Sequence, residues 1–367
     1  MKNAAVFRLA MAHPGDLSEL ERLIASGAVR PPDIAAVIGK TEGNGGVNDF
    51  TRGYFSFALA SLLGERLGAS RAEILARIPC VLSGGTEGVL SPHYLVLERR
   101  PAGAPSSAGK RLAIGVAFAA PMLPEAIGRQ AHVDGIAAAV RTAMRDARID
   151  DANDVRFVQV KTPCVTTARA ATAAARGANV VSTDANRAMA YARAAGAFGV
   201  AVALGEVERG ALTDQAMLND FAIHSPRASI SSGVEVERDE VIVLGNSARW
   251  SGNLAIAHQP MRDALDLAAV TATLAELGIA AAPQISATDA QRIRGVLVKC
   301  EPDRRGAVRG HRHTMLDDTD INAQRHIRGA VGGLVAGVMG DGRIFVSGGA
   351  EHQGPDGGGL IAVIAEI

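Results

Sequence analysis

The feature that most limits what this 367-residue chain can fold into is a pattern that recurs three times. Three apolar runs end in a lysine: 34–40 (IAAVIGK), 155–161 (VRFVQVK) and 296–299 (VLVK). Beyond a helix-like stretch, each is followed by a second apolar run that ends in a serine turn. These turns are Val81-Leu82-Ser83-Gly84-Gly85-Thr86-Glu87, Ser229-Ile230-Ser231-Ser232-Gly233-Val234-Glu235 and Phe345-Val346-Ser347-Gly348-Gly349-Ala350-Glu351. A glutamate stands four residues after the serine in all three. A self-similar pattern of this kind marks repeated supersecondary units that build one fold between them.

The stretch between each lysine and its serine reads as an Ala-rich helix that carries arginine: 48–63 with Arg52, 183–204 with Arg187 and Arg193, and 317–338 with Arg325 and Arg328. Ser182-Thr183-Asp184 offers good N-cap chemistry to the second of these. A further amphipathic helix is expected before each lysine run, at 16–26, 132–147 and 260–277. Helices alternating with short apolar strands predict an α/β fold. The breaker-rich segment 101–109 (PAGAPSSAG) reads as a linker, and 246–253 as a weaker one. Three units follow, at 1–103, 111–248 and 254–367, each of ordinary domain size.

Composition narrows the function classes. The 38 basic and 38 acidic residues balance, which argues against a nucleic-acid binder. The chain is 48% hydrophobic but only 4% aromatic, so an aliphatic core is expected. No apolar run approaches the ~20 residues that span a bilayer, and Arg8 and Asp16 interrupt any signal-like stretch. Three cysteines without a CxxC read as reduced thiols, and a cytoplasmic location is expected.

A serine hydroxyl becomes a nucleophile when a base takes its proton, and a desolvated neutral lysine can be that base. The glycines of the turn let a substrate oxygen approach main-chain N–H groups. Three such pairs point to a ligand site, with Lys40 and Ser83, Lys161 and Ser231, and Lys299 and Ser347 as its parts. Residues two apart on a strand share a face. Lys40 has Glu42 at that offset and Lys299 has Glu301, whereas Lys161 has Pro163. Lys161 is therefore expected to lose its proton most easily. Ser231 with Lys161 is the expected chemical pair, and the outer pairs are expected to clamp substrate.

Other motifs carry less. Gly39-Lys40-Thr41 lacks the glycine that a P-loop needs five residues before Gly39, where Ile34 stands. His311-Arg312-His313 has no further ligands at zinc-site spacing. The glycine-rich segment 350–359 (AEHQGPDGGG) exposes carbonyl oxygens of the kind that hard cations bind, yet reads equally well as a plain loop.

The segments 39–45 (GKTEGNG), 83–93 (SGGTEGVLSPH), 312–316 (RHTML) and 347–355 (SGGAEHQGP) resemble those of the cyanuric acid hydrolase/barbiturase family of cyclic amide hydrolases. The resemblance runs along essentially the whole chain. It implies three similar units with approximate threefold symmetry around one central active site, in a homotetramer without a catalytic cofactor. It also implies ring opening of cyanuric acid to carboxybiuret, which decarboxylates to biuret. Carried onto this chain, it makes Ser231 the nucleophile and Lys161 the base. It implies substrate-binding arginines at Arg52, Arg193 and Arg325, with Ser83-Gly84, Ser231-Ser232 and Ser347-Gly348 as the clamp turns. Arg187 competes with Arg193 for the second place, which the similarity of residues 189–193 (MAYAR) awards to Arg193. A structural Mg²⁺ or Ca²⁺ is implied at Glu301, Ala350, Gln353, Gly354, Pro355 and Gly358. Ser232 departs from the smaller residue expected there. Barbituric acid is the rival substrate, and a non-catalytic sensor of ring-shaped anions is the reading from a different class.

Overall fold

The computed structural model describes residues 1–102 and 109–367. Most of the expected linker 101–109, including Gly103 at the close of the first expected unit, lies outside the described residues. Three sheets each draw four strands from one consecutive stretch of chain, in one shared order. The first uses Lys2–Ala10, Ile34–Thr41, Cys80–Gly84 and His93–Pro101. The second uses Arg111–Phe118, Val155–Pro163, Ala228–Gly233 and Glu240–Ser247, and the third Leu254–Met261, Ile293–Cys300, Phe345–Ser347 and Gly359–Glu366. Across each sheet the serine strand lies at one edge, then the lysine strand, then the last strand of the stretch, then its first. Lysine and serine strands pair in parallel, and the other pairings among these twelve strands are antiparallel.

The register repeats as faithfully as the order. Lys40 stands opposite Ser83, Lys161 opposite Ser231 and Lys299 opposite Ser347. An irregularity falls at the same place in each lysine strand, between Ile34 and Ala36, Val155 and Phe157, and Ile293 and Gly295. The mixed α/β class is as expected. The first and last strands of each stretch were not foreseen, because their apolar runs lack a chemical landmark and lie far from their partners in sequence.

Each serine strand is reached through a long helix: Phe50–Leu67, Ala185–Leu204 or Ala323–Met339. The side chains of Asp49, Asp184 and Asn322 cap them by accepting from main-chain N–H groups, which fixes where each helix starts. The helices before the lysine strands are Ser18–Ala25, Gln130–Ala147 and Leu267–Glu276. The third is shorter than the expected 260–277. Pro260 and Met261 end a strand, and the helix begins only after Asp266, which accepts from Ala269 N–H. The weak linker at 246–253 is also firmer than expected. Trp250 and Ser251 pair with Lys2 and Asn3, and the buried Trp250 indole donates to the Ala147 carbonyl at 2.6 Å.

Residues from all three sheets meet in one aliphatic core that includes Val6, Ile38, Ile114, Val160, Ile256 and Leu297. Helices cover the outer faces of the first and third sheets through separate clusters around Phe55 and Val331. The first serine strand touches both of the others, which brings the three serine turns together. No helix among the described residues is long and apolar enough to cross a membrane. The three cysteines are free and buried.

Candidate active site

The carboxyl ends of the parallel lysine and serine strands open onto one small cavity of about 40 Å³. Ligands gather at such ends because side chains and turn N–H groups converge there. Ser83-Gly84, Ser231-Ser232 and Ser347-Gly348 form its walls, with Arg52, Arg193 and Arg328 between them. Lys161, Leu82 and Gly45 complete the lining. Gly84 cannot carry a side chain, since a Cβ there would lie 1.8 Å from Asp49 Oδ2. Gly45 sits at φ +74°, a conformation that glycine adopts freely.

The glutamate four residues after each serine does the same thing three times. Glu87 Oε1 accepts from Arg328 at 2.6 Å, Glu235 from Arg52 at 2.7 Å, and Glu351 from Arg193 at 2.6 and 2.7 Å. Each unit's glutamate thus holds the arginine of a neighbouring unit, and the three contacts close a ring. Burial opposes ionisation of Glu87 and Glu351, but the paired arginines keep both carboxyls below their usual range. For Glu235 burial is again the largest influence, yet Lys161 and Arg52 together pull it down to about 2. These arginines are therefore aimed in advance, and Arg52 is held further by Asp49 at 3.2 Å and the Gly46 carbonyl at 3.0 Å.

The three lysines differ, and not for the expected reason. Lys40 donates to Ser83 Oγ at 3.2 Å and to the Gly84 carbonyl at 3.0 Å. Lys299 donates to Ser347 Oγ at 3.1 Å and to the carbonyls of Gly348 and Ile230 at 2.9 and 2.6 Å. Both sit behind their serines, off the cavity lining, although direct substrate contacts were expected of them. Lys161 does line the cavity. It donates to the Leu82 carbonyl at 3.0 Å and pairs with Glu235 Oε1 at 2.6 Å. Opposite it, Ser231 Oγ is buried and has no hydrogen-bond partner among the described residues.

The carboxylates two residues beyond Lys40 and Lys299 do not face those lysines. The first and third lysine strands end one residue after the lysine, so the alternation of faces stops there. Glu42 is exposed, and Glu301 turns to Arg304 at 2.8 Å. The lysine with a carboxylate against it is Lys161. Burial lowers the affinity of all three for a proton. Lys40 is pushed well down, with Arg328 adding to the effect, and Lys299 falls to about 7. Lys161 is also lowered by burial, against the pull of Glu235.

Arg325 is placed apart from the other two expected arginines. It is half-exposed and bonds Glu87 from outside the cavity at 3.1 Å, while the nearly buried Arg328 lines the cavity. The signal was in the helix pattern: Arg328 lies inside the apolar seam formed by Ile327, Val331, Val335 and Val338, and Arg325 lies a turn before it. Arg193 lines the cavity as expected, and Arg187 is exposed. The third position after each helix cap is a poor guide. It finds Arg52 correctly, then Arg187 and Arg325, both outside the cavity.

The segment 350–359 folds against Glu301, whose main-chain N–H donates to the Gly358 carbonyl at 3.2 Å. Burial, then the charge of Glu351, lifts the Glu301 carboxyl to about 7. Glu301 is paired with Arg304 at 2.8 Å and Glu351 with Arg193 at 2.6 Å, and no group of three or more His, Cys, Asp or Glu that could hold a metal ion stands among the described residues. The Gln353 side chain is committed elsewhere: its Oε1 accepts from Ile230 N–H at 2.6 Å and steadies the strand just before Ser231. His313 lies apart, with Nε2 3.0 Å from the Asp303 carbonyl.

Comparison with known proteins bears on this geometry. Residues 5–366 match the model of the amidohydrolase ring-opening protein family. The chain belongs to that family. A cyanuric acid amidohydrolase of Bradyrhizobium diazoefficiens is 50% identical over 100% of this chain and 98% of its own. One from Pseudomonas sp. strain ADP is 50% identical over 100% of this chain and 99% of its own. A solved cyanuric acid hydrolase superposes with a TM-score of 0.96 at 49% identity, covering 100% of both chains. Another, from A. caulinodans, gives 0.92 at 49%, covering 100% of this chain and 99% of that one. Membership in a ring-opening amidohydrolase family accords with a cavity that joins a serine, a lysine and three fixed cations.

Proposed function

We propose that the protein hydrolyses cyanuric acid, opening the ring to carboxybiuret, which loses CO₂ to give biuret. The observation that carries this reading is the cavity itself: three serine turns and three glutamate-held arginines around one small space. Cyanuric acid is planar, has three equivalent carbonyls and binds readily as an anion. Three similar units arranged with approximate threefold symmetry would meet it with the same groups on each side. The relatives and solved structures described above, cyanuric acid hydrolases or amidohydrolases, support the same substrate.

Only one side needs to react. Ser231 Oγ attacks a ring carbonyl carbon while its proton passes to neutral Lys161, the lysine that lines the cavity. Main-chain N–H groups of the Ser231 turn stabilise the oxyanion. The C–N bond then breaks, and the Lys161 ammonium returns the proton to the departing ring nitrogen. Water attacks the resulting ester with Lys161 again as base, and Ser231 leaves with its proton restored. Ser83 and Ser347, tied to Lys40 and Lys299, hold the other two carbonyl edges. A structural divalent cation would sit on the Glu301 carboxylate and the main-chain carbonyls of Ala350, Gln353, Gly354, Pro355 and Gly358. There it would neutralise the buried pair Glu301 and Glu351 and so steady Arg193.

The test is to incubate purified protein with cyanuric acid and, separately, barbituric acid, and to follow loss of ring absorbance in the ultraviolet. The reading expects turnover of cyanuric acid. Turnover of barbituric acid alone would move the substrate assignment, and binding without turnover would make the protein a sensor.

A further inference from the structure

All three long helices start on a capping side chain, but the first cap also reaches the reaction cavity. Asp184 and Asn322 are exposed, and among the described residues their side chains accept only from N–H groups of their own helices. The Asp49 side chain is fully buried. Its Oδ1 does the capping, accepting from Thr51 N–H at 3.0 Å and from the Thr51 hydroxyl. Its Oδ2 faces the other way and accepts from Gly45 N–H at 2.9 Å and from Arg52 Nη1 at 3.2 Å. Arg52 in turn donates to the Gly46 carbonyl at 3.0 Å. The Asp49 and Arg52 ion pair thus grips the Gly45-Gly46 segment at both of its ends.

What this grip holds is part of the cavity wall. Of the lining residues, Gly45 alone comes from a loop between a lysine strand and its long helix. It is wedged between the first clamp turn and an arginine of the third unit. A Cβ on it would lie 3.1 Å from the Gly84 carbonyl oxygen and 3.7 Å from Arg328 Nη1. The glycines around Asp49 leave room for its carboxylate: a Cβ at Gly43 would lie 1.9 Å from Oδ1, and one at Gly84 would meet Oδ2. One carboxylate therefore bonds two lining residues, Gly45 and Arg52, and abuts a third, Gly84. The caps of the other two helices bond none.

Resting on the cyanuric acid reading, we propose that Asp49 is a positioning residue of the site, holding the Gly45 wall and Arg52 where the bound ring meets them. A charged acceptor shared by two donors fixes both more firmly than a neutral one. Its removal leaves the Gly45 N–H and one Arg52 N–H without that partner. Misplacement of such groups by about 1 Å can cost about 100-fold in rate.

Capping and positioning separate in Asp49→Ser. Serine caps a helix about as well as aspartate, but its shorter side chain does not extend to Gly45 and Arg52. Cyanuric acid binding is measured by titration calorimetry in a Ser231→Ala background, where turnover does not interfere. Asp49→Ser should raise Kd about 10-fold or more, with Tm close to that of the background protein. The matched cap variant Asp184→Ser should leave Kd within about twofold. Loss of folded protein lowers the amplitude of the titration and not Kd, so a merely structural role leaves Kd in place. An unchanged Kd in Asp49→Ser, or an equal rise in Asp184→Ser, would overturn the proposal. If Asp49→Ser does not fold, Gly43→Ala takes its place, because its methyl group displaces the Asp49 carboxylate from a position off the cavity lining. It should raise Kd about threefold or more, and an unchanged Kd there overturns the proposal too. Ring opening by the Ser231→Ala background itself would count against the underlying reading, and KM then replaces Kd in the same comparison.

Discussion

The second lysine–serine pair and the two outer pairs occupy the same register in sheets of the same order, yet they are wired differently. In the outer pairs the lysine nitrogen donates to its own serine, which leaves that serine's hydroxyl proton free for another acceptor. In the second pair the serine oxygen has no partner among the described residues, and the lysine leans on Glu235. Repetition of backbone therefore does not entail repetition of chemistry. What breaks the equivalence is the set of groups beyond the strand, above all Glu235 reaching Lys161 and Glu240 facing it.

The largest effect that tests this contrast is removal of the second lysine. Lys161→Met, close in length and without a charge, should reduce turnover by about 10⁴-fold while the protein stays folded, as loss of a base in a coupled pair commonly does. Retention of more than a tenth of the activity would place the base elsewhere. Next comes the arginine ring. Arg328→Ala should lower kcat/KM by about 10- to 100-fold, the size expected for a charge-assisted hydrogen bond. Arg325→Ala should stay within about threefold, because a half-exposed ion pair contributes little. Equal losses in the two would mean that the helix presents both to the ligand.

A smaller, signed effect concerns pH. The active Lys161 is neutral, so activity rises as pH climbs through its pKa. Glu235 favours the ammonium, and removing that charge should let burial lower the pKa further. Glu235→Gln is expected to move the acid limb of the pH–rate profile downward by about 1–3 units. Part of the rate should be lost as well, since Arg52 loses its partner. A limb that stays in place would show that Glu235 positions Arg52 alone.

These contrasts also mark how far the sequence could be read. The lysine and serine strands were legible because short apolar runs carrying one repeated polar landmark leave little freedom of assignment. The convergence of the three serine turns was legible in outline through the family resemblance. Arg328 was missed because the third helix carries two arginines three residues apart, and the repeat alone does not show which of them faces the cavity. The partner of Lys161 was misjudged because a rule for strand interiors was applied where strands end. Glu235 lies 74 residues beyond Lys161 and reaches it through parallel strand pairing, a contact that no local spacing encodes.

The central claim is that one serine of three performs the chemistry, and the most direct measurement compares Ser83→Ala, Ser231→Ala and Ser347→Ala side by side with saturating cyanuric acid. The account predicts that Ser231→Ala loses turnover by several orders of magnitude yet still binds the ring. Ser83→Ala and Ser347→Ala should lose about 10- to 100-fold, mainly in kcat/KM, through one weakened clamp. Equal collapse of kcat in all three, or an active Ser231→Ala protein, would contradict it.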